Sequence, residues 1–381
     1  EALTLSGAGA GAVSGGITAT GALENVSGTN TYGGLITLSG TAAPTTISSD
    51  SGSLSLINTG TITGAGVSLN LAGAGNGSIA SVIGTTTGGL SMTGTGTWTL
   101  SGNSTYSGGT TVSSGKLYVN NGPSGSGTGT GAVTIGSGAM LAGNGVITPS
   151  GGAGVVIQSG GTLSSGAVQV SDATHNTVTP GASGTNGLLF NNAEASSSTL
   201  TIAGGANLTF SLGAGTTAGS GALTFNAPNT NSTFFTLTGG TTDQIFGAGA
   251  ADTINLVDLT AFTPVSLPSQ KLQLALQNPY LLIVTTPTGG NANADFANLI
   301  TSGGEGVNGY VLGVDNGSGV ATPFILNMTD NNGNQLSSAG LQLYLYNGEL
   351  EVIPEPSTWA MLLGGVAMLL FTVRRRARMN S

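Results

Sequence analysis

Short apolar runs that alternate with small polar residues mark most of the chain. Clear examples are Leu54-Ser-Leu-Ile57, Trp98-Thr-Leu100 and Val133-Thr-Ile135. Alternation with a period of two predicts β-strands that bury one side. Within residues 1–250 the apolar residues do not recur at a helical spacing, and glycine or proline interrupts each run. We therefore expect many short strands here and no long helix. The same pattern recurs at residues 67–71, 90–92, 110–112, 155–157 and 200–202.

A turn of small residues followed by a leucine also recurs. The intervals between successive leucines are 24, 22 and 45 residues, and the last interval is interpreted as two periods near 22. A second, longer repeat of similar sequence contains Tyr32 in one copy and Tyr106 in the other. The two tyrosines are 74 residues apart, or about three periods. One coil of about 22 residues cannot bury its apolar edge alone, so coils must stack. We predict an all-β fold, a parallel β-helix or β-solenoid, of about 15 coils. The leucines are Leu117, Leu141, Leu163 and Leu208.

Composition supports a repetitive β architecture. The 381 residues include 68 glycines and no cysteine, and only 6% are charged. An ordinary soluble domain has about 25% charged residues and about 7% glycine. The mean hydropathy of +0.26 argues against disorder, which needs low hydrophobicity. The absence of cysteine excludes a disulfide framework and thiol chemistry.

The motif over residues 88–117, which contains Trp98-Thr-Leu-Ser-Gly-Asn-Ser-Thr-Tyr106, resembles the autotransporter-associated β-strand repeat. The likeness extends to residue 122, and residues 23–87 and 123–187 resemble more degenerate copies. The resemblance implies a parallel β-helix of the kind carried by secreted bacterial passenger proteins. We therefore expect residues 1–187 to form a repeat solenoid. The chain opens inside a repeat-like run without methionine, so we expect its N-terminus and any signal peptide to precede Glu1.

Glycine becomes scarcer after residue 253, and residues 188–353 are predicted to be a β-rich continuation or cap of the solenoid. Asn347-Gly348 predicts a two-residue hairpin turn between Leu341–Tyr346 and the strand that begins at Glu349. In that register Leu345 faces Leu350, and the apolar sides of the two strands coincide. Leu343 then faces Val352. Residues 295–300 are predicted to form one or two helical turns.

Candidate catalytic groups are sparse, and we expect no catalytic site and no cofactor. The single histidine, His175, has only Asp172 as a nearby carboxylate, and a surface loop explains it better. Glu349 and Glu351 lie on one face of a strand and are interpreted as a solvated pair. A carbohydrate-active β-helix enzyme remains an alternative, since a pair of carboxylates can hydrolyse glycosides. A further alternative is a water-ordering or ice-binding face of threonines, based on Thr29-Asn-Thr31 and Thr95-Gly-Thr97.

No metal site is predicted, although one calcium hypothesis stays open. Asp243 and Asp252 are nine residues apart, and each has isoleucine two positions later. This spacing faintly resembles the calcium-binding nonapeptide β-roll. Neither copy completes the motif, and calcium needs six to eight oxygen ligands, so two ordinary turn aspartates are the favoured interpretation.

Charge divides the chain into an acidic body and a basic tail. Residues 1–353 contain two lysines and 14 acidic residues, a net charge of −12, which makes nucleic-acid binding unfavourable. Residues 357–373 carry no charge, and as a helix of about 25 Å they approach the roughly 30 Å of a bilayer core. Trp359 suits the outer interface, and the following arginines place the C-terminus in the cytoplasm. The arginines are Arg374, Arg375, Arg376 and Arg378.

Pro354, Glu355 and Pro356, followed by the apolar segment and the arginines, resemble the PEP-CTERM sorting signal. The resemblance covers residues 354–381. It implies a Gram-negative, exopolysaccharide-producing bacterium and recognition of the three residues by an exosortase-type enzyme, with exopolysaccharide as a candidate partner. The body would be periplasmic while the helix crosses the inner membrane, and would then reach the surface or the medium. We therefore expect an exported, non-enzymatic structural or adhesive protein of the surface or matrix.

Overall fold

Stacked β-strands account for all the regular secondary structure in the described residues, and none of those residues is helical. The structure is a computed structural model. It describes residues 1–9, 12–13, 17–18, 20–40, 43–122, 124–150, 154–164, 188–192, 200–212, 235–239, 251–258, 280–286, 299–302, 304–305, 309–316, 318–330, 335–336, 341–346 and 349–354.

Short strands follow one another closely in the first 164 residues, and strands of five to seven residues become common after that. The first group is β1 (Leu3–Ser6), β2 (Ala12–Val13), β3 (Ile17–Thr18), β4 (Leu23–Asn25), β5 (Thr29–Tyr32), β6 (Ile36–Ser39), β7 (Thr45–Ser49), β8 (Ser53–Leu56), β9 (Thr61–Ile62), β10 (Leu69–Ala72), β11 (Asn76–Ile79), β12 (Val82–Ile83), β13 (Leu90–Met92), β14 (Thr97–Leu100), β15 (Thr110–Val112), β16 (Lys116–Val119), β17 (Val133–Ile135), β18 (Met140–Gly143), β19 (Val146–Ile147), β20 (Val155–Ile157) and β21 (Thr162–Ser164). The second group is β22 (Leu189–Asn192), β23 (Leu200–Ile202), β24 (Asn207–Leu212), β25 (Phe235–Gly239), β26 (Thr253–Asp258), β27 (Tyr280–Thr286), β28 (Leu299–Thr301), β29 (Gly304–Glu305), β30 (Gly309–Asp315), β31 (Ala321–Thr322), β32 (Ile325–Asp330), β33 (Gln335–Leu336), β34 (Leu341–Tyr346) and β35 (Glu349–Pro354).

The chain winds through three faces of stacked parallel strands. The first face runs from β4 through β7, β10, β13, β15, β17 and β20 to β23, and the second runs from β5 to β32. The third face includes β6, β9, β12, β19, β22, β25 and β27. One coil takes the chain from β8 on the second face to β9 on the third and β10 on the first. This path is consistent with the predicted β-solenoid.

The predicted alternation and coil length are both confirmed in the first coils. Each of the eight alternating runs overlaps a strand, and most of the apolar positions are buried, although Ile57, just after β8, is exposed. Leu117 pairs with Leu141, and Leu141 pairs with Leu163, so one repeat of the leucine motif is one coil. Their side chains are completely buried. Burial of one leucine per coil in a continuous core explains the repeat.

The interval of 45 residues is a single coil, so its interpretation as two periods is wrong. Leu163 pairs directly with Leu208, and Val155 pairs directly with Leu200. The next coils are also long, since Leu208 pairs with Ile254. The pattern within a strand carries no information on how many residues separate it from the next strand in the stack. The described second face therefore has ten parallel strands rather than 15, about 45 Å of stacking at about 4.8 Å each.

The two tyrosines of the longer repeat occupy different places in the coil. Tyr32 lies in β5 on the second face, whereas Tyr106 lies between β14 and β15 and is completely buried. The Tyr106 hydroxyl is hydrogen-bonded to the Thr110 hydroxyl, and burial raises the pKa of Tyr106 well above its ordinary value. The similar sequences therefore do not mark equivalent positions.

Side chains continue the third face where strands are missing between β12 and β19. Ile83 donates its N–H to Ser104 Oγ at 3.3 Å, and Thr148 donates its N–H to Ser126 Oγ at 3.0 Å. Between them, Ser104 donates its N–H to the Ser126 carbonyl at 2.7 Å. Ser104 and Ser126 are both buried. Hydroxyl groups and backbone carbonyls together thus connect these coils, since Thr105 also donates its N–H to the Ile83 carbonyl at 3.0 Å.

Antiparallel strands follow the last parallel ones. β27 pairs in parallel with β25 and antiparallel with β35, and β35 pairs with β34. The hairpin register is confirmed, because Leu345 faces Leu350 and Leu343 faces Val352. The turn residues and residues 295–298 lie outside the described residues. The helical prediction is wrong for 299–300, since β28 pairs with β30. The domain limits at residues 187 and 353 stay predictions.

Trp98 is the largest completely buried side chain in the described core, and it packs over Gly77 of the neighbouring strand. Gly77 and Trp98 are direct partners in the pairing of β11 with β14. A Cβ atom at residue 77 would collide with three carbon atoms of the indole ring. The indole therefore requires glycine beneath it.

We predict that Gly77→Ala destabilises the protein by about 1–3 kcal/mol through overpacking against Trp98. Denaturant unfolding followed by Trp fluorescence measures the effect. Gly122→Ala is the matched control, because nothing lies within 4 Å of a Cβ at residue 122. Equal stability of the two variants would contradict the packing argument.

Candidate functional site

The predicted sorting residues lie at or beyond the end of the described chain. β35 ends at Pro354, and Glu355 and Pro356 follow outside the described residues. Trp359 and the four arginines at 374, 375, 376 and 378 also lie outside them, as does the predicted membrane helix at 357–373. Among the residues that the structure describes, no helix is long and apolar enough to span a bilayer.

The outer surface of the first coils is almost free of charge. Residues 25–164 contain a single acidic residue, Asp50, and a single basic one, Lys116. Hydroxyl and amide side chains occupy the outward positions of successive strands on two faces. On the second face these are Thr31, Ser55, Ser78 and Thr99. On the first face they are Asn70, Ser91, Thr111 and Thr134, whereas Thr46, the partner of Asn70 in β7, is buried.

Several outward polar groups on the first face bond to one another along the stack. Ser91 and Thr93 both donate to Asn70 Oδ1, at 3.0 and 3.1 Å. Asn70 Nδ2 in turn donates to Thr46 Oγ1 at 3.4 Å. This ladder crosses three coils and satisfies polar groups that would otherwise need water. The first face therefore presents a pre-ordered row of hydrogen-bonding groups.

The two Thr-x-Thr runs do not form one threonine array. Thr29 and Thr31 lie in β5, whereas Thr95 lies in the bend before β14 and only Thr97 belongs to that strand. Two strands, β8 and β11, separate β5 from β14. Thr95-Gly-Thr97 therefore does not lie within a strand along its whole length. A water-ordering face stays an untested alternative.

An acidic pair lies near the start of the first face. Glu24 and Asp50 both contact the Thr20 hydroxyl, at 3.3 and 2.8 Å, and Ser48 Oγ donates to Asp50. Partial burial acts to raise the pKa of Asp50, but the Ser48 and Thr20 hydroxyls and Glu24 hold it below its ordinary value. Asp50 is thus suited to stay ionised, not to donate a proton as a general acid.

A shallow groove of about 340 Å³ lies beside this pair, where the second face begins. Glu24 is its carboxylate and Tyr32 its aromatic ring, with Leu23, Val26 and Leu54 along the walls. Glycoside hydrolysis uses two carboxyl groups across the substrate. Asp50 does not line this groove, so Glu24 is the only carboxyl group among its lining residues and the second one that hydrolysis needs is not there.

The calcium hypothesis can be examined at one of its two aspartates. Asp252 is 1% exposed, and its Oδ1 accepts the Ala206 N–H at 3.0 Å. A carboxylate that faces a backbone donor inside the core does not present oxygen ligands to a solvated cation. Asp243, His175 and Asp172 lie outside the described residues, and the described residues hold no cluster of three potential ligands. Whether Asp243 binds calcium stays open.

Glu349 and Glu351 lie on β35 between two neighbouring strands of the third-face sheet. Glu351 is opposite Tyr344 of β34 and Leu281 of β27. Glu349 is opposite Tyr346 and Val284. Both acids therefore occupy a strand that is paired on each side, and their interpretation as a solvated pair stays a prediction.

The described fold is an all-β stack of parallel strands with an antiparallel C-terminal section. The model of the passenger-associated-transport-repeat family matches residues 90–119, which span β13 to β16. This is an autotransporter-associated repeat, as the motif predicts. No curated protein and no solved structure matches the chain. The repeat indicates a surface-exposed structural or adhesive protein exported by a Gram-negative bacterium.

Sequence reasoning missed the acidic pair, although a signal for it exists. Glu24 and Asp50 are 26 residues apart, close to one coil, in a region with almost no other charge. Pairing of Glu24 with Ser48 brings Asp50 alongside. A search for rare charges separated by one coil length would have found them.

We predict that Ser48→Ala raises the pKa of Asp50, because the carboxylate loses a hydroxyl donor. A folded-state pKa below the ordinary value stabilises the fold above about pH 4, and this stabilisation is lost on further acidification. Carbon-13 NMR titration of Asp50 measures the change. Ser55→Ala, on the neighbouring β8, is the control and should leave Asp50 unaltered. An unchanged Asp50 titration in Ser48→Ala would refute the assignment.

Proposed function

We propose that this chain is an exported, non-enzymatic structural or adhesive protein of the cell surface or extracellular matrix. The observation that carries the proposal is the match of residues 90–119 to an autotransporter-associated repeat within a stack of parallel coils. A stack of short coils makes a long surface from little sequence, because each coil contacts only its neighbours. Such a surface suits a spacer or an adhesin.

The composition of the outer faces favours partners that are recognised by hydrogen bonds. The outer faces of residues 25–164 expose hydroxyl and amide groups. This segment contains only one acidic and one basic residue in total. Nucleic acids need several cationic contacts, which this surface lacks. Exopolysaccharide, with its many hydroxyl groups, is the partner that we propose for this surface.

We further propose that residues 354–381 direct sorting. Pro354, Glu355 and Pro356 would be recognised by an exosortase-type enzyme while a helix at 357–373 holds the chain in the inner membrane. Two features support this: β35 ends at Pro354, and proline cannot donate to a strand ladder. The motif therefore starts where the last described strand ends. Removal of the helix would release the body or attach it to the surface.

Replacement of Pro354, Glu355 and Pro356 by alanine should leave the protein in the inner membrane of its native host. The processing enzyme would lose its recognition motif, whereas the body would fold as before. Membrane fractionation, with mass spectrometry of the C-terminus of the exported form, measures the outcome. Ser357→Ala with Thr358→Ala is the neighbouring control and should be processed normally. Normal surface display of the triple variant would contradict the sorting proposal.

Replacement of Arg374, Arg375, Arg376 and Arg378 by glutamine should impair the orientation of the membrane segment, because cationic residues hold their flank in the cytoplasm. A C-terminal tag would then become accessible to periplasmic protease in part of the population. Substitution of Asn380 by glutamine leaves the charge unaltered and serves as the control. Full protection of the tag in the arginine variant would contradict the proposed role.

A further inference from the structure

The corner between the first and second faces contains a column of small residues. Each one accepts, through its carbonyl, the N–H of the first residue of the next second-face strand. Ala139 accepts from Thr162 at 2.9 Å, and Asp252 accepts from Ile325 at 2.9 Å. The column is glycine or alanine up to its last described member. In chain order it includes Gly96, Gly115, Ala139, Gly161, Ala206 and Asp252.

Asp252 thus places a carboxyl group where other coils place hydrogen or methyl. Ala139 and Ala206 are completely buried, and Asp252 is 1% exposed. Asp252 Oδ1 accepts the Ala206 N–H at 3.0 Å, which also approaches the Ala203 carbonyl at 3.1 Å. Asp252 Oδ2 is buried and has no hydrogen-bond partner among the described residues. The described surroundings therefore satisfy only one of the two carboxyl oxygens.

No described cation faces this carboxyl group. The turn at 203–206 and strand β24 carry no titratable side chain. On β26 and β32 the acids are Asp258 and Asp330, register partners at the far ends of those strands. Six residues of strand, about 20 Å, separate each from the corner. Asp243 lies outside the described residues.

The protonation state of Asp252 decides whether the corner contains a neutral carboxyl group or a buried negative charge. Burial raises the pKa of Asp252 from 3.8 to about 7, although the hydrogen bond from the Ala206 N–H acts to lower it. In an opened coil, the carboxyl group would titrate near its ordinary value. The closed state therefore binds the proton more tightly, and opening becomes easier as pH rises from about 4 to about 7. Above that range the buried charge has no counterion among the described residues.

We propose that Asp252 is a pH-sensitive restraint on the last described coil of the second face. As a neutral acid it fits the small-residue column and keeps β32 stacked on β26. As a carboxylate it leaves the corner, and the hydrogen bond from Ile325 to its carbonyl is loosened. The end of the solenoid would then open in a neutral or alkaline medium and close in an acidic one.

Hydrogen exchange on the full chain at pH 5 and pH 7.5, corrected for intrinsic rates, tests the proposal. We expect the opening constants of amides in β26 and β32 to rise at least about tenfold between these values. Amides in β14 serve as the internal reference and should not change. A uniform change in all three strands, or none, would overturn the proposal.

Asp252→Asn removes the charge and keeps the acceptor for Ala206. Its β26 and β32 amides should show the same protection at both pH values. Asp315→Asn, at an acid near the surface turn after β30, is the control and should keep the wild-type response. A persistent pH response in Asp252→Asn would also overturn the proposal. Should that variant fail to fold, the comparison of β14 with β26 and β32 in the wild-type chain still decides.

Discussion

Close backbone stacking at the corners of the coil is the constraint on which the rest of the structure depends. Parallel strands at about 4.8 Å leave little room for side chains where the chain turns. At Gly96 an added Cβ would collide with the Gly75 carbonyl of the coil below. In the column between the first and second faces, every named member before Asp252 is glycine or alanine. Close stacking thus accounts for part of the high glycine content, and the dry core excludes charge from the inward positions of the strands.

Local features of the sequence predict local structure well here, because alternation and coil length are properties of neighbouring residues. The pairing of Leu117 with Leu141 and the register of Leu345 with Leu350 both follow from such patterns. The pairing of Leu163 with Leu208 does not, since a coil can leave the stack for any length and return to the same position. Residues 299–300 form a strand for a similar reason: antiparallel pairing with β30 decides their conformation.

For the outer faces of the first coils, the sequence predicts which residue types are exposed but not which of them bond to one another. Threonine, serine and asparagine on alternating positions indicate outward rows, but their partners depend on which strands are adjacent. Asn70 receives hydrogen bonds from Ser91 and Thr93 because one coil separates them. Thr95 does not join such a row because the bend before β14 removes it from the strand. The hydroxyls of Ser104 and Ser126, which accept backbone N–H groups from adjacent coils, carry no sequence signal that separates them from other serines.

The C-terminal section alters what the stack can do at that end. On the second face, β32 pairs with antiparallel β33, and on the third face β27 pairs with antiparallel β35. An antiparallel strand occupies the hydrogen-bonding edge that a further parallel coil would need, which limits growth in this direction. Asp252 lies one strand before this transition on the second face. Departure from the glycine and alanine column therefore coincides with the point where the regular coil gives way to a different pairing pattern, and a polar group there is tolerated because few further coils depend on it.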